Sequence, residues 1–363
     1  MNPMPIPTPP PPSPHEPADP RPVLAVDIGG TKTAVALVGP DAAVSERVVV
    51  PTPVAGAPEE AWAVVTAAAA APLARAAALG GVRGIGIGSA GPVDPAAGTI
   101  APVMIPVWCD APVVAWASAW APGVPVTLVG DGICAAVGEH WAGAGRGANA
   151  MLGCTVSTGV GGGLILGGRP WPGPSANAGH IGHIVTDPDG PACPCGSRGC
   201  LELTASGTAL LTRALAAGWT GPEGNRGGAG ATTADLAEAA RSGDPVARRV
   251  FAEAGRALAA AFTSVCAVCD LDLIVVGGGV AQAGPPLFDA IDAGMREFAG
   301  LPFVRRAVVR RAALGADSGL VGAAAPLHAP ERYGAERHAP ERYAPERDSA
   351  ERHDAAEGDR TAV

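Results

Sequence analysis

The sequence predicts an α/β protein of two domains facing each other across a cleft, and three observations carry that prediction. A buried-strand run, Val23–Ile28, enters a Gly-Gly turn and leaves it as a second strand pattern, TAVALV. The same device returns as a strand from Met151 to Val156, the turn STGVGGG and the strand LILGG. Helical stretches separate and follow these units, and 363 residues suffice for two modest domains with sizeable cores.

Taken in order, VLAVDI–GG–TAVALV reads as a β-hairpin with Asp27 closing its first strand. A Walker loop or a dinucleotide-binding turn would pass into a helix. Strands follow the first two glycine turns here, which argues against a dinucleotide-dependent oxidoreductase. EEAWAVVTAAAAAPLARAAALGG is helical, and VRGIGIGSAGPVD is a strand and turn. VPVTLVGDGICAAVGEHWAGAG reads as strand, turn and helix; TADLAEAARSGDPVARRVFAEAGRALAAAFTSVCAVC is mostly helix. LDLIVVGGGVA is a strand entering a third glycine turn, and LVGAAAPL is a last short helix. Side-chain-free turns let several backbone N–H groups point into one concavity and cradle phosphate oxygens. Three such turns (Gly29–Gly30, Gly159–Gly163, Gly277–Gly279), each ending a buried strand, point to phosphate binding rather than hairpin shaping alone.

GHIGHIVTDPDGPACPCGSRGCLE, from Gly179 to Glu202, carries metal chemistry. Cys193, Cys195 and Cys200 lie on a turn rich in Gly and Pro, with His183 just upstream, a donor set that suits tetrahedral Zn²⁺. A disulfide would leave one of three thiols over, and a thioredoxin-like pair needs two intervening residues, not one. Four protein ligands leave no open position, so the zinc is expected to organise rather than catalyse, adding about 10–16 kcal/mol of apparent binding energy to folding.

A net charge of −9 without a basic stripe in the body of the chain disfavours a nucleic-acid surface. No run of about 18 apolar residues is free of Gly, Pro and charge, so no membrane span is expected. The first 22 residues lack a signal-peptide pattern and read as a polyproline-like disordered tail. HAPERYGAERHAPERYAPERDSAERHDAAEGDR is repetitive and charged, so disorder is expected from about His328 onward. The remaining cysteines sit in apolar contexts that suit a reducing cytoplasm, and Cys266-x-x-Cys269 reads as buried, inert thiols on a helix.

From about Val23 to Leu327 the chain resembles the ROK family of bacterial sugar kinases, transcriptional repressors and related open reading frames. DIGGTKTAVAL resembles the family's first phosphate segment, STGVGGGLILGGR its second with Ser157 where Gly is usual, HIGH…CPCGSRGCLE its zinc signature, and VVGGGVA its nucleotide-flanking turn. The resemblance implies an actin-like (RNase H-like) two-domain ATPase fold, with ATP and a sugar in the interdomain cleft, in a homodimer. It implies a smaller domain over residues 23–129, completed by a helix over 315–327, a larger zinc-bearing domain over 130–314, and tails over 1–22 and 328–363. Family repressors carry an N-terminal helix-turn-helix where this chain has its proline tail, which disfavours DNA binding.

The implied reaction is ATP-dependent phosphorylation of a sugar hydroxyl, with Asp131 as general base. Asp131 also suits an N-cap for a helix starting at Ile133, and the two roles are compatible. ATP would lie against Gly29, Gly30, Thr31, Lys32, Ser157, Thr158, Gly159, Gly161, Gly162 and Gly278. Asp27 would help place Mg²⁺ through water, or it simply shapes its turn; Lys32 either approaches phosphate or stays solvated. His180, His183 and Glu202 would join Asp131 around the sugar, His183 binding zinc through one nitrogen and facing substrate with the other.

Three positions depart from the family pattern. Gly130 stands where Asn precedes the catalytic Asp, Met104 where an Asn contacts sugar, and His180 where a Glu is expected. Gly and Met replace neither the donor nor the acceptors of those side chains. Two readings follow: a kinase with an altered sugar pocket, and a non-catalytic sensor of sugar or nucleotide that keeps the fold and the zinc.

Overall fold

The computed structural model describes residues 19–222 and 230–334. The first sheet begins as a meander of β1 (Val23–Ile28), β2 (Lys32–Val38) and β3 (Val44–Pro51). Helix α1 (Pro58–Ala77) follows, then β4 (Gly84–Ser89) and a small ribbon of β5 (Val93–Asp94) and β6 (Thr99–Ile100). Helix α2 (Val113–Ser118) leads to β7 (Val126–Gly130), which runs straight into α3 (Asp131–Ala142). The sheet order is β3-β2-β1-β4-β7, antiparallel through the meander and parallel from β1 to β7.

The second sheet repeats this plan. Its meander is β8 (Ala150–Val156), β9 (Val160–Leu166) and β10 (Arg169–Trp171). After the cysteine turn come α4 (Glu202–Ala205), α5 (Gly207–Ala216), α6 (Thr233–Ser242) and α7 (Pro245–Cys269). β11 (Leu273–Gly277), α8 (Pro285–Phe298), α9 (Pro302–Arg305) and β12 (Val308–Arg311) complete this half. The order β10-β9-β8-β11-β12 matches the first sheet strand for strand, with the same parallel and antiparallel pairings. The duplication read from two glycine hairpins is thus a duplication of topology.

Helices α3 and α10 (Ser318–His328) form a spine between the sheets. α10 packs on β1, β2 and β4, α3 on β8 and β9, and the two helices pack on each other. At their crossing, a Cβ on Gly322 would overlap the Cys134 carbonyl, so only glycine permits this separation. The outer layers are α1, whose Trp62 stacks on Trp120 and meets Trp116 at a tilt and Trp108 edge-on, and the α4–α8 group over the second sheet. By length and apolar content α1 and α7 would each pass for a membrane span. Their buried faces, Trp62 and Val65 in α1 and Phe251, Leu258 and Phe262 in α7, belong to the two cores, which accounts for that apolar content.

The described C-terminus corrects one expectation. Ordered structure does not stop at His328: α11 (Pro330–Tyr333) follows, and Tyr333 is 4% exposed. Its hydroxyl lies 3.1 Å from His140 Nδ1 on α3, and its ring joins a core with Val137, Met151 and Val275. Composition predicted disorder because one aromatic among charges is a weak signal; the socket that receives it is built from α3 and the second sheet. The tails over 1–18 and 335–363 lie outside the described residues.

Candidate active site

The site forms where strands of both sheets end. Asp27 closes β1, Asp131 opens α3 after β7, Ser157–Gly159 follow β8, and Gly278 follows β11. Crevices at the carboxyl ends of parallel strands are where open α/β sheets bind ligands. The two meander turns meet there: Thr31 Oγ1 and Thr158 Oγ1 are 3.4 Å apart, although 127 residues separate them in sequence. The first turn is closed by Gly29 N–H donating to the Lys32 carbonyl at 3.1 Å; Gly30, Thr31 and Lys32 are exposed at its tip. The second is closed by Ser157 N–H donating to the Gly159 carbonyl at 2.8 Å.

Two neighbours of the second turn were not anticipated. Gly207 N–H at the start of α5 donates to the Ser157 carbonyl at 2.7 Å, and Thr208 Oγ1 donates to the Thr158 carbonyl at 3.1 Å. The signal available was Ser206, whose side chain caps α5 by accepting from Ala209 N–H. Gly278, at φ +89°, abuts the Val156 carbonyl so closely that no side chain fits. This brings the third glycine turn against the second. Gly161 stays open toward Asp131, whereas Gly162 is buried between Gly153, Gly179 and Ile181. A Cβ on Gly132 would sit 2.5 Å from the Gly162 carbonyl, so this glycine run lets α3 lie directly on β9 and fixes where Asp131 stands.

Asp131 is the first residue of α3, with Gly130 as its N-cap, so the helix starts two residues earlier than the sequence suggested. Its Oδ1 accepts from Gly132 N–H at 2.7 Å rather than capping a later turn. Burial raises the Asp131 carboxyl above the usual carboxylate range and Glu202 adds to this, while the Gly132 N–H and His180 act in the opposite sense. Asp27 is pushed up to about 7, chiefly by burial and by the charge of Asp131; Lys32 and Arg47 offset part of it. Two half-buried carboxylates, the charge of Asp131 bearing on Asp27, suit a cation beside them. Glu202 Oε2 accepts from Val160 N–H at 2.9 Å. Met104 is 65% exposed, and a Cβ on Gly130 would touch nothing, so neither supplies a polar group.

The cysteine turn assembles as its spacing implied. One donor atom each from His183, Cys193, Cys195 and Cys200 lies within 4.8 Å of all the others. Cys195 Sγ and Cys200 Sγ are 3.7 Å apart, and Cys193 Sγ lies 3.9 Å from His183 Nδ1. A tetrahedron with Zn–S of about 2.3 Å has S–S edges of about 3.8 Å, so the residues fit zinc. Burial and the neighbouring thiols push Cys200 up to about 12. Three thiolates would share this turn only around a cation. The 3₁₀ turn Ile181–His183 and the start of α4 place His183 and Glu202 on its two flanks, so a metal there would brace two site residues at once.

Paired five-stranded sheets of identical topology, joined by crossing helices and gripping facing phosphate-type turns, define the actin-like ATPase fold. Within that class the chain belongs to the ROK family, whose model matches residues 23–329. It is 36% identical over 301 residues to the N-acetylmannosamine kinase of Yersinia pestis, covering 83% of this chain and 96% of that one. A ROK family glucokinase from Streptomyces griseus, solved with glucose and AMPPNP, superposes with a TM-score of 0.74 at 35% identity, covering 84% of this chain and 98% of that one. The ROK hexokinase of Thermus thermophilus gives a TM-score of 0.66 at 35% identity, over 84% of this chain and 96% of that one.

Proposed function

We propose that the protein is an ATP-dependent sugar kinase acting on a hydroxyl of a hexose or N-acetylhexosamine. The observation that carries this reading is the convergence of Asp131 and Asp27 beside the two facing turns at Thr31 and Thr158. The turns would hold the ATP phosphates through their backbone N–H groups. Asp131 takes the proton of the sugar hydroxyl as its oxygen attacks the γ-phosphorus; the bond to the β–γ bridging oxygen breaks, and sugar phosphate and ADP leave. The raised basicity of Asp131 suits that role. Asp27 would hold Mg²⁺ through water, and that ion offsets phosphate charge. His183, Cys193, Cys195 and Cys200 would hold a structural Zn²⁺ that keeps Glu202 and His180 in place for the sugar.

The second reading, a sugar or nucleotide sensor without turnover, is favoured by Met104 and Gly130, which bring no hydrogen-bonding side chain to the pocket. The deciding experiment is ATP turnover by zinc-loaded protein on glucose, mannose, N-acetylglucosamine and N-acetylmannosamine, with Asp131→Ala in parallel. Turnover lost in the variant supports the kinase. Nucleotide binding without turnover on any of these sugars moves the reading to the sensor.

A further inference from the structure

The ribbon β5–β6 leaves one edge open, and a side chain from the other half of the molecule fills it. Val93 N–H donates to Asn177 Oδ1 at 3.0 Å, and Asn177 Nδ2 donates to the Val93 carbonyl at 3.1 Å. Nδ2 also donates to the Ser175 carbonyl at 2.6 Å. Val93 is buried in the core of the first sheet, whereas Asn177 lies between β10 and the zinc-turn residue His183. One amide thus acts as a single-residue strand spanning the cleft.

The same residue also sets a ring in the pocket. The Asn177 carbonyl is 2.8 Å from His180 Nδ1. A carbonyl only accepts, so Nδ1–H donates to it and the ring turns Nε2 toward Gly91. That nitrogen would lie 3.0 Å from a Cβ on Gly91, so Gly91, just upstream of Val93, leaves the room in which the ring stands.

We propose that Asn177 is a positioning residue for the substrate pocket. It clasps the two halves through Val93 and orients His180 so that Nε2 hydrogen-bonds a hydroxyl of an uncharged sugar. The identity of the substrate rests on the kinase reading above; the clasp rests on the geometry of Asn177, Val93, His180 and Gly91. Alanine supplies neither hydrogen bond. Aspartate still accepts from Val93 N–H, but it sets a carboxylate against the Val93 carbonyl.

The test combines steady-state kinetics with amide exchange at Val93, on zinc-loaded full-length wild type, Asn177→Ala, Asn177→Asp and Gly91→Ala. ATP is paired with whichever sugar of the panel turns over fastest, and zinc content checks that each variant keeps its turn. Both Asn177 variants are expected to raise the sugar KM about ten- to hundredfold, with kcat and the ATP KM within about threefold. Asn177→Ala should also speed exchange at Val93, whereas Asn177→Asp, which still accepts from that N–H, should not. Gly91→Ala should raise the sugar KM while the Val93 amide stays protected. An unchanged sugar KM in Asn177→Ala overturns the proposal and leaves the kinase reading standing. If wild type turns over no sugar, the kinase reading fails for this panel and exchange decides the clasp. Equal protection of Val93 in wild type and Asn177→Ala then overturns it; faster exchange in the variant supports it.

Discussion

Two aspartates concentrate the cost of this site. Asp27 titrates near 7 in the folded protein against 3.8 for the unconstrained group, so the folded state binds more protons between those values. Stability therefore falls as pH rises from about 4 to about 7, and the loss is complete above that range. Asp27→Asn is expected to stabilise the ligand-free protein at pH 8 by on the order of 1–4 kcal/mol, read as a higher melting temperature, but hardly at pH 4. The same variant should lose MgATP-dependent turnover; a melting temperature that moves equally at both pH values would refute the assignment. Asp131→Asn keeps the shape of the α3 start and removes the base. A fall in kcat of about 10²–10⁴ is expected, measured with the sugar that wild type accepts. A change below about tenfold would shift the base elsewhere.

Among the elements, the cysteine turn and the start of α3 matter most. The turn spans His183 to Cys200 with little apolar surface of its own, so its order should depend on the metal. Exhaustive chelation, or Cys193→Ser, is expected to lower the melting temperature and raise the sugar KM together, with zinc content as the control. A chelated protein that melts as before would remove zinc from the account. At α3, the contact of Gly132 with the Gly162 carbonyl leaves no space for a methyl group. Gly132→Ala should cost about 1–3 kcal/mol in denaturant unfolding and displace Asp131, lowering activity beyond what the stability loss explains.

For the molecule as a whole, α10 and its extension tie the sheets together. α10 lies on β1, β2 and β4, while Tyr333 reaches the second half beside His140 and Met151. Replacing Tyr333 by Ala deletes a buried aromatic and a hydrogen bond, at an expected cost of about 3–5 kcal/mol by denaturant titration. Tyr333→Phe should cost only about 1–2 kcal/mol, the unpaired His140 nitrogen being its main consequence. Equal stability of all three proteins would show that the contact carries no weight.

Much of this protein was legible in its residues because the informative features are local. Val23–Ile28 and Met151–Val156 announce buried strands by largely apolar runs, Gly-Gly turns announce hairpins, and His183, Cys193, Cys195 and Cys200 lie close enough in sequence to declare a cluster that could hold a metal ion. The resemblance carried by those motifs reached the fold. What depends on contacts between distant residues stayed out of reach. The meeting of Thr31 with Thr158, the grip of Asn177 on Val93 and the seating of Tyr333 against His140 join residues 84 to 193 positions apart. None of those side chains carries a periodicity or spacing of its own. Only the crossing of α3 and α10 between the sheets, set by close helix packing, decides which of them meet.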